Sequence, residues 1–363
     1  MTVSTIRSPN TVLANCLHNA LDIIRPRILI SKPEKVIFSI GTQINGIPHL
    51  GTYIVQCMAF SIAQRVRDMF DVDVSVDFCA LDNAPYETAT SSGGHTYQRN
   101  YCDALGQSEL RDLIAANYAS YFGKLQEMTE VPFEMTLYSN LQKDPEFRRH
   151  FFKTLDFAES IRWCLDPARG NFRLRIPCPQ CHFSEKHAER TTLMRHTNEE
   201  ASFCCMCLNH GRYEEIVTLD GSSGYIDLGT LYRNVVKESR TTDFPKTLSV
   251  MVKGGDWVFG TQVVDWALGV MGHTPVEIPI RIFTPQIVTE TGAKLSKSLI
   301  RDGDSTLAEV PEWILDMGKF SQQTPDYAER IMWLVEQFLS HPRHMYRSYT
   351  YHEIIRLLKS KRK

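Results

Sequence analysis

The sequence predicts an α/β fold built around a parallel sheet, and three consecutive stretches support this prediction. The run "KVIFSIGTQING" is apolar and β-branched and ends at glycine, which is typical of a strand buried on both faces. The next stretch, "TYIVQCMAFSIAQRVRDMF", has helical periodicity, and "DVDVSVDFCALD" again has the pattern of a strand. A strand, a helix and a strand in succession predict a right-handed βαβ unit of a Rossmann-like layer.

The remaining segments differ in character along the chain. A helix with Leu13, Leu17, Leu21 and Ile24 on one face should lead into the first strand. Strand and helix alternation should return after a cysteine-rich stretch in the middle of the chain. The predicted segments are 1–106, the first half of the sheet domain; 107–170, a helical insertion; 171–217, a cysteine-rich insert; 218–310, the second half of the sheet domain; and 311–363, a helical, basic C-terminal tail.

Composition argues against a disordered, fibrous or membrane-spanning protein. The chain has 363 residues, of which 43% are apolar and 23% charged, and its formal net charge is -2. It has neither a signal-peptide pattern nor an apolar run of the roughly 20 residues that a bilayer requires, so we expect a cytoplasmic protein with no membrane partner. From Arg343 onward, seven Lys or Arg residues accompany a single acid, Glu353. This stretch fits either a solvated terminal helix or a surface that binds a polyanion.

Two pairs of cysteines predict a structural metal site. Cys178 and Cys181 form one CxxC pair, and Cys204 and Cys207 form another. Two such pairs complete the tetrahedral shell of a zinc ion and leave no position open to a substrate. The alternative is a set of free buried thiols. Substitute ligands nearby are His182, His187 and Cys205.

A turn that contains glycine follows the first predicted strand. In "NGIPHLGTY", His49 and Gly51 precede a helix that begins near Thr52, so that unpaired helix amides lie beside an imidazole. This arrangement suits the negative oxygens of a phosphate. The alternative is a turn histidine with only a structural role.

A polar loop follows the last predicted strand. "TGAKLSKSLI" contains Lys294, Ser296, Lys297 and Ser298 directly after the apolar run "IPIRIFTPQIV". Two ammonium groups on such a loop can close on a polyphosphate and neutralise the charge that develops during phosphoryl chemistry.

Taken together, the early turn and the late loop resemble the HIGH and KMSKS signatures of class I aminoacyl-tRNA synthetases. With "CALDN" and "GGDW", they are most similar to class I lysyl-tRNA synthetases of the archaeal kind, over residues 12–310. Thr52 and Asn83 depart from that family, which has Asn and a second acid there. The resemblance implies a class I synthetase, HUP-type form of the Rossmann-like fold. It also implies residues that bind adenosine or phosphate: Gly51, Thr52, Gly254, Gly255, Asp256, Lys294, Ser296, Lys297 and Ser298.

Few residues follow the late loop, which disfavours a complete synthetase with an anticodon-reading domain. In size, the chain resembles the fungal arginine-containing cyclodipeptide synthases, which join aminoacyl groups from two charged tRNAs into a diketopiperazine. This resemblance implies arginyl-tRNA and a second charged tRNA as partners. Asp82 and Glu87 in "LDNAPYE" match the family's acidic signature incompletely, and with His49 they are the candidate catalytic residues. Carboxylates there could hold a guanidinium or accept a proton from an α-amine, or they could merely cap the next helix.

Two other functions stay open at this point. An ATP-dependent enzyme that activates amino acids, as a truncated lysyl-type synthetase or an amino-acid ligase, would explain the complete KLSKS stretch, with ATP as its substrate. A catalytically silent protein that binds tRNA would also fit. Zinc would be structural under each of these interpretations.

Overall fold

The computed structural model describes residues 20–296, 300 and 307–360, and it is an α/β structure with fifteen strands in the described residues. In chain order, the strands are β1 (Lys35–Gln43), β2 (Asp73–Leu81), β3 (Pro85–Thr90), β4 (Thr96–Asn100), β5 (Phe133–Leu137), β6 (Leu174–Arg175), β7 (Ser184–Glu185), β8 (Thr192–His196), β9 (Glu200–Cys207), β10 (Gly211–Thr218), β11 (Asp227–Leu228), β12 (Thr247–Gly254), β13 (Ile280–Thr284), β14 (Ile287–Val288) and β15 (Tyr349–Thr350).

Helices lie before, between and after these strands. In chain order, they are α1 (Arg25–Ser31), α2 (Leu50–Phe70), α3 (Tyr101–Ala104), α4 (Gln107–Ile114), α5 (Ser120–Thr129), α6 (Tyr138–Leu141), α7 (Pro145–Leu155), α8 (Ala158–Leu165), α9 (Thr230–Thr242), α10 (Val258–Val270), α11 (Glu312–Leu315), α12 (Met317–Gln323), α13 (Tyr327–Leu339), α14 (Pro342–Met345) and α15 (Tyr351–Ser360). Short 3₁₀ turns lie at Ala20–Ile23 and Gly255–Trp257, and Ala115–Ala119 forms a π-helical turn.

Five of the strands form a central parallel sheet in the order β13-β12-β1-β2-β5. From β1, the chain adds β2 and then β5 on one side, and later adds β12 and β13 on the other. The border between β1 and β12 is therefore a topological switch point, and in open α/β sheets such a border opens a crevice at the carboxyl ends of the strands. This confirms the predicted Rossmann-like α/β fold.

The sheet is covered on both faces, which explains why its strands are almost continuously apolar. Val36, Phe38 and Ile40 of β1 belong to one core, which also contains residues of α2, α5 and α13. Cys79 and Leu81 of β2 belong to a second core, which also contains residues of α7, α8, α9 and α10. Strand β2 contributes to both cores, because successive residues of a strand point to opposite faces.

The predicted helical insertion, residues 107–170, is more closely joined to the sheet than the sequence analysis expected. Its strand β5 pairs with β2, from Val76↔Phe133 to Ala80↔Leu137, and forms one edge of the sheet. The segment "VPFEMTL" is too short to show a clear period among its helical neighbours. Of the four residues predicted to lie on one face of the leading helix, Leu21 and Ile24 are buried. Leu13 and Leu17 lie outside the described residues.

Smaller sheets form the cysteine-rich part of the molecule. Strands β8, β9 and β10 make an antiparallel sheet, while β3 and β4 form a hairpin to which β7 is added. Strand β6 pairs with β11. These pairings attach the insert to the hairpin that follows β2, so the insert lies beside the carboxyl ends of the central strands.

The C-terminal segment packs against the sheet domain. Strand β15 pairs with β14, and α13 contacts α2. In α15, Ile354 and Leu358 are buried, so one face of this helix is part of the core. Within residues 20–296 and 307–360, no helix combines the length and apolar character that crossing a bilayer requires.

Candidate functional site

A cleft of about 1170 Å³ lies over the carboxyl ends of β1 and β12, at the switch point of the sheet. Its floor is formed by Ser39–Gln43 of β1 and by the end of β12, and the hairpin of β3 and β4 contributes Tyr86. Helix α9 forms a further wall. Both segments that the sequence analysis compared with synthetase signatures reach this cleft.

His49 begins helix α2 and lines the cleft. Its Nδ1 accepts a hydrogen bond from the backbone amide of Gly51 at 3.1 Å, so the neutral ring carries its proton on Nε2. A Cβ on residue 51 would lie 2.9 Å from Cε1 of His49, and glycine avoids this collision. Thr52, in the first turn of α2, lines the cleft as well. The turn therefore presents an imidazole and a helix N-terminus to the same space.

Lys294 approaches the cleft from the other side of the switch point. The backbone turns tightly between Val288 and Lys294, with Gly292 at φ +83°, and Leu295 is buried behind it. The Lys294 ammonium pairs with the carboxylate of Asp256, which follows β12. Ser296 also lines the cleft.

The two glycines before Asp256 allow close approach of neighbouring atoms. A Cβ on Gly254 would lie 2.6 Å from Oδ1 of Asp256, and one on Gly255 would lie 3.1 Å from the carbonyl oxygen of Thr284. Gly254 and Asp256 line the cleft, whereas Gly255 packs behind it. Of the remaining predicted residues, Lys297 and Ser298 lie outside the described residues.

The cleft has an excess of positive charge, although the whole chain is close to neutral. Seven basic side chains and two carboxylates line it: Arg173, Arg175, Lys186, Arg233, Lys237, Lys253, Lys294, Glu238 and Asp256. Both carboxylates are already paired, Asp256 with Lys294 and Glu238 with Arg281. A cleft with this charge favours anionic ligands, such as phosphates or carboxylates.

A buried carboxylate behind the cleft wall holds several of the lining residues in place. Asp227, which is fully buried, accepts hydrogen bonds from Nε and Nη2 of Arg175 at 2.7 and 2.8 Å. It also accepts bonds from the amides of Asn83 and Asn100 at 2.7 and 2.9 Å. The oxygen of Asn83 in turn accepts a 3.3 Å bond from Arg233. No local pattern in the sequence marks Asp227 as part of a site.

The two carboxylates predicted to be catalytic lie outside the lining of the cleft. Asp82 is fully buried, and its oxygens accept hydrogen bonds from the backbone amide and the hydroxyl of Ser139, at the start of α6. Glu87 pairs with Arg99 on the neighbouring strand at 3.0 Å. Tyr86 lines the cleft, and because a strand alternates its side chains, Glu87 projects to the opposite face. A catalytic role for either carboxylate stays a prediction, and this geometry does not support it.

We expect Asp82→Asn to keep most of its stability and activity. The asparagine oxygen can still accept from the Ser139 amide, and its amide nitrogen can donate to the Ser139 hydroxyl, so both hydrogen bonds can be retained. A thermal unfolding curve and an activity measurement on the same preparation test this expectation. Lost activity in a fully folded variant would instead show that the carboxylate takes part in the chemistry.

The structure brings together three of the four predicted metal ligands. Cys178, Cys181 and Cys207 lie with His210, all four donor atoms being within 4.8 Å of one another. His210, and not Cys204, completes this group, so the predicted ligation by Cys204 stays a prediction. Cys204 and Cys207 are both on strand β9, three residues apart, so their side chains point to opposite faces. The signal in the sequence is "CLNH", a CxxH pair that overlaps the second CxxC pair.

These four residues fit a zinc ion. Three sulfurs and one imidazole nitrogen are a common structural donor set, and a tetrahedral ion would space them by about 3.5–3.8 Å. The Sγ atoms of Cys181 and Cys207 are 3.3 Å apart, and Nδ1 of His210 is 3.5 Å from Sγ of both Cys178 and Cys207. Zinc would join the loop before β7 to the turn between β9 and β10, with no coordination position left for a substrate.

A second group of possible ligands is better explained by ion pairs. His95 lies 3.2 Å from Glu185 and 3.4 Å from Glu189. Arg190 also pairs with Glu185, and Arg169 pairs with Glu189, both at 2.9 Å. Because arginines already compensate both carboxylates, this group does not need a cation.

Comparisons with known proteins find similarity only among solved structures. No protein-family model and no curated protein matches the chain. Methionyl-tRNA synthetase of Mycobacterium tuberculosis, solved with methionyl-adenylate, is similar over 90% of this chain and 68% of its own, with 13% identity and a TM-score of 0.41. Arginyl-tRNA synthetase of Thermus thermophilus is similar over 91% of this chain and 62% of its own, with 10% identity and a TM-score of 0.37.

Glutamate-tRNA synthetase of Elizabethkingia anophelis is also similar, over 75% of this chain, with 13% identity and a TM-score of 0.34. The chain spans 54% of that synthetase and 62% of the Thermus one, which is less than two thirds of either. We draw no conclusion about activity from scores at this level. The proposal below depends on the residues of the cleft.

Proposed function

We propose that the cleft binds activated amino acids and transfers aminoacyl groups between charged tRNAs, with a cyclodipeptide as the product. The observation that carries this proposal is that the His49 turn and the Lys294 loop, distant in sequence, line one positively charged cleft at the switch point of the sheet. An aminoacyl-tRNA terminus is an adenosine with an adjacent phosphate backbone, and such a cleft suits both parts.

The transfer reaction requires no group other than the two charged tRNAs. The α-amine of one aminoacyl group attacks the ester carbonyl of the other, a C–N bond forms, the ester C–O bond breaks, and the amine proton passes to the departing ribose oxygen. A second attack of the same kind closes the ring and releases the other tRNA. In this scheme, the N–H group at Nε2 of His49 can donate a hydrogen bond to an ester or phosphate oxygen.

The resemblance noted in the sequence supports arginyl-tRNA as one of the two charged tRNAs. No unpaired carboxylate lines the described part of the cleft, so a guanidinium would have to share Asp256 or Glu238 with its present partner. Zinc, at the Cys178 site, would have only a structural role under this proposal.

A second function is favoured by one specific observation. Lys294 stands in the cleft and is held by Asp256, where its ammonium can reach the phosphates of ATP. Acyl transfer between tRNAs expels no pyrophosphate and does not need such a group. An ATP-dependent enzyme that activates an amino acid is therefore the alternative, and the geometry fits it about equally well.

Two assays on one purified preparation separate these functions. ATP–pyrophosphate exchange in the presence of an amino acid, without tRNA, would support activation. Formation of a diketopiperazine from arginyl-tRNA and other charged tRNAs, with ATP removed and the product identified by mass spectrometry, would support the proposal. If neither reaction occurs with folded protein, the chain is a binding protein and both proposals are wrong.

We expect Lys294→Ala to distinguish the two reactions as well. Removing one group that stabilises charge in a transition state costs about 10²–10³-fold in rate. Amino-acid activation should fall by this amount, whereas transfer between tRNAs should fall less than about tenfold. Lys319→Ala, which removes an exposed lysine paired with Glu312, is the matched control and should leave both rates unchanged. Equal losses in both reactions would show that Lys294 only supports the loop.

A further inference from the structure

A polar recess continues from the cleft to the space between α9 and the sheet. Ser249 and Lys253 of β12 are separated by an even number of residues and project to the same face of the sheet. Arg233, Asn234 and Lys237 face them from α9. We call these five residues the α9–β12 sub-pocket.

The three cations of the sub-pocket have no carboxylate partner among the described residues. Arg233 is 2% exposed, and its only hydrogen bonds go to uncharged oxygens, those of Asn83 at 3.3 Å and Leu228 at 3.4 Å. Lys253 lies over the ring of Trp257 at 4.4 Å, and within the part of the chain that the structure describes, neither its ammonium nor that of Lys237 has an ion pair or a hydrogen bond. Buried cations are ordinarily paired, because leaving water is costly for a charge.

Neither neighbouring acid is free to compensate these charges, since Asp227, which raises the pKa of Arg233, is already paired with Arg175. Glu238 is buried next to the sub-pocket, but Arg281 donates to it, and Arg281 also pairs with Asp265. The pKa of Lys253 is lowered to about 7, mainly by burial and also by the neighbouring Arg281, Lys237 and Arg233, while Glu238 opposes this shift. The sub-pocket is thus a place where positive charges repel one another until an anion enters.

Two buried polar atoms also lack partners there. Oγ of Ser249 and Nδ2 of Asn234 make no hydrogen bond to any described residue, although each residue is only 8% exposed. Buried groups of this kind are nearly always bonded, so an unbonded hydroxyl and amide in a recess indicate the position of ligand atoms. An amide N–H₂ and two ammonium groups can only donate, so their common ligand must be an acceptor.

We propose that the α9–β12 sub-pocket binds the side-chain carboxylate of an acidic aminoacyl group, aspartyl or glutamyl. This assignment rests on the proposed function and identifies the second substrate of the transfer. The depth of the recess favours a side-chain carboxylate over a nucleic-acid phosphate, because Arg233, Ser249 and Asn234 are too buried to meet a polynucleotide backbone. An arginyl group is repelled there and has to bind elsewhere in the cleft.

Calorimetric titration of the full chain with free amino acids tests the assignment without tRNA or turnover. We expect L-glutamate or L-aspartate to bind at least about tenfold more tightly than the corresponding amide, because a carboxylate forms charge-assisted bonds and an amide does not. L-arginine should not bind in the sub-pocket. Lys237→Met and Lys253→Met should each weaken binding of the acid by about tenfold and leave the amide unaffected. Lys319→Met, which changes an exposed lysine outside the cleft lining, should change neither affinity.

Several results would overturn the assignment. These are equal affinity for the acid and its amide, no binding of either acid at millimolar concentration, or binding that the two lysine variants do not change. If inorganic phosphate binds with the same dependence on Lys237 and Lys253 while the acids do not, the sub-pocket holds a phosphate instead. Thermal unfolding of each variant shows whether it is folded.

The outcome separates this assignment from the proposed function. If the acid binds as expected but no diketopiperazine forms from any charged tRNA, the sub-pocket assignment holds and the transfer function is wrong. If a diketopiperazine forms only from residues other than aspartyl or glutamyl, and the acids do not bind, the transfer function holds and the sub-pocket assignment is wrong.

Discussion

Replacing Asp227 by alanine should lower the free energy of unfolding by about 3–5 kcal/mol, because it leaves the Arg175 guanidinium buried without its counterion. That guanidinium donates to both carboxylate oxygens, and the Arg175 side chain is only 12% exposed. The amides of Asn83 and Asn100 would lose their acceptors in the same variant. Equilibrium unfolding in urea, monitored by circular dichroism, measures the loss.

The matched control is Glu214→Ala. Glu214 pairs with Arg212 at 3.6 Å, and both side chains are more than half exposed, so its loss should cost less than about 1 kcal/mol. Similar losses for Asp227→Ala and Glu214→Ala would contradict a structural role for the buried carboxylate. In a second test, Arg175→Met added to Asp227→Leu should recover part of the stability, because removal of both charges leaves none unpaired.

The Asp227 variant should also change the cleft. Arg175 and Asn83 line the cleft and are held by the lost carboxylate, and Asn83 in turn accepts a hydrogen bond from Arg233. Side chains that lose a shared hydrogen-bond partner are no longer held in fixed positions relative to one another. A displacement of about 1 Å can lower the rate of a catalysed reaction about 10²-fold. We therefore expect the variant to lose activity even at temperatures where it is still folded. The loss should exceed the fraction of molecules that are unfolded.

Much of the fold could be predicted because burial on both faces leaves a strong signal in the sequence. Strand β1 begins with a continuous apolar run, β2 contains alternating apolar residues, and the stretch between them has helical periodicity. The same reasoning failed for β5, which is short and lies among helices, so its pairing with β2 could not be seen. Strand β4 was also missed, because "TYQRN" is polar and its partner β7 has only two residues.

The candidate site could be predicted only where its residues belong to local patterns. His49 and Lys294 stand in recognisable turns, and both line the cleft. Asp227 joins Asn83, Asn100 and Arg175, which are 144, 127 and 52 residues away, and no periodicity relates such positions. Contacts between residues so far apart in sequence depend on the topology of the fold. Buried networks of polar residues therefore cannot be predicted from the sequence alone.

The proposed catalytic acids show a further limit of local patterns. Asp82 and Glu87 are close in sequence, but Asp82 lies just beyond the end of β2, and Glu87 lies on the outward face of β3. A one-residue shift along a strand reverses the face on which a side chain lies. Tyr86 and Thr88, the neighbours of Glu87, therefore reach the cleft, and the acid between them does not.

The metal site gives the second large effect that we expect. Cys207→Ser should reduce bound zinc from about one ion per chain to nearly none, because a four-coordinate structural site that loses a thiolate no longer closes. Structural zinc contributes an apparent 10–16 kcal/mol of binding energy in small domains, at neutral pH, and its removal by a chelator should therefore unfold the insert around β9 and β10. Elemental analysis of the purified protein measures the zinc content, and limited proteolysis shows which segment opens.

Cys204 in β9 and His210 in the turn after it provide the decisive comparison. Cys204→Ser should retain zinc, because Cys204 lies on the opposite face of the strand from Cys207, whereas His210→Ala should lose it. The opposite result, in which Cys204 is required and His210 is not, would return the ligand set to the two CxxC pairs. Because the insert is tied to the β3–β4 hairpin through β7, we also expect zinc loss to weaken the wall of the cleft that holds Tyr86, without unfolding the parallel sheet.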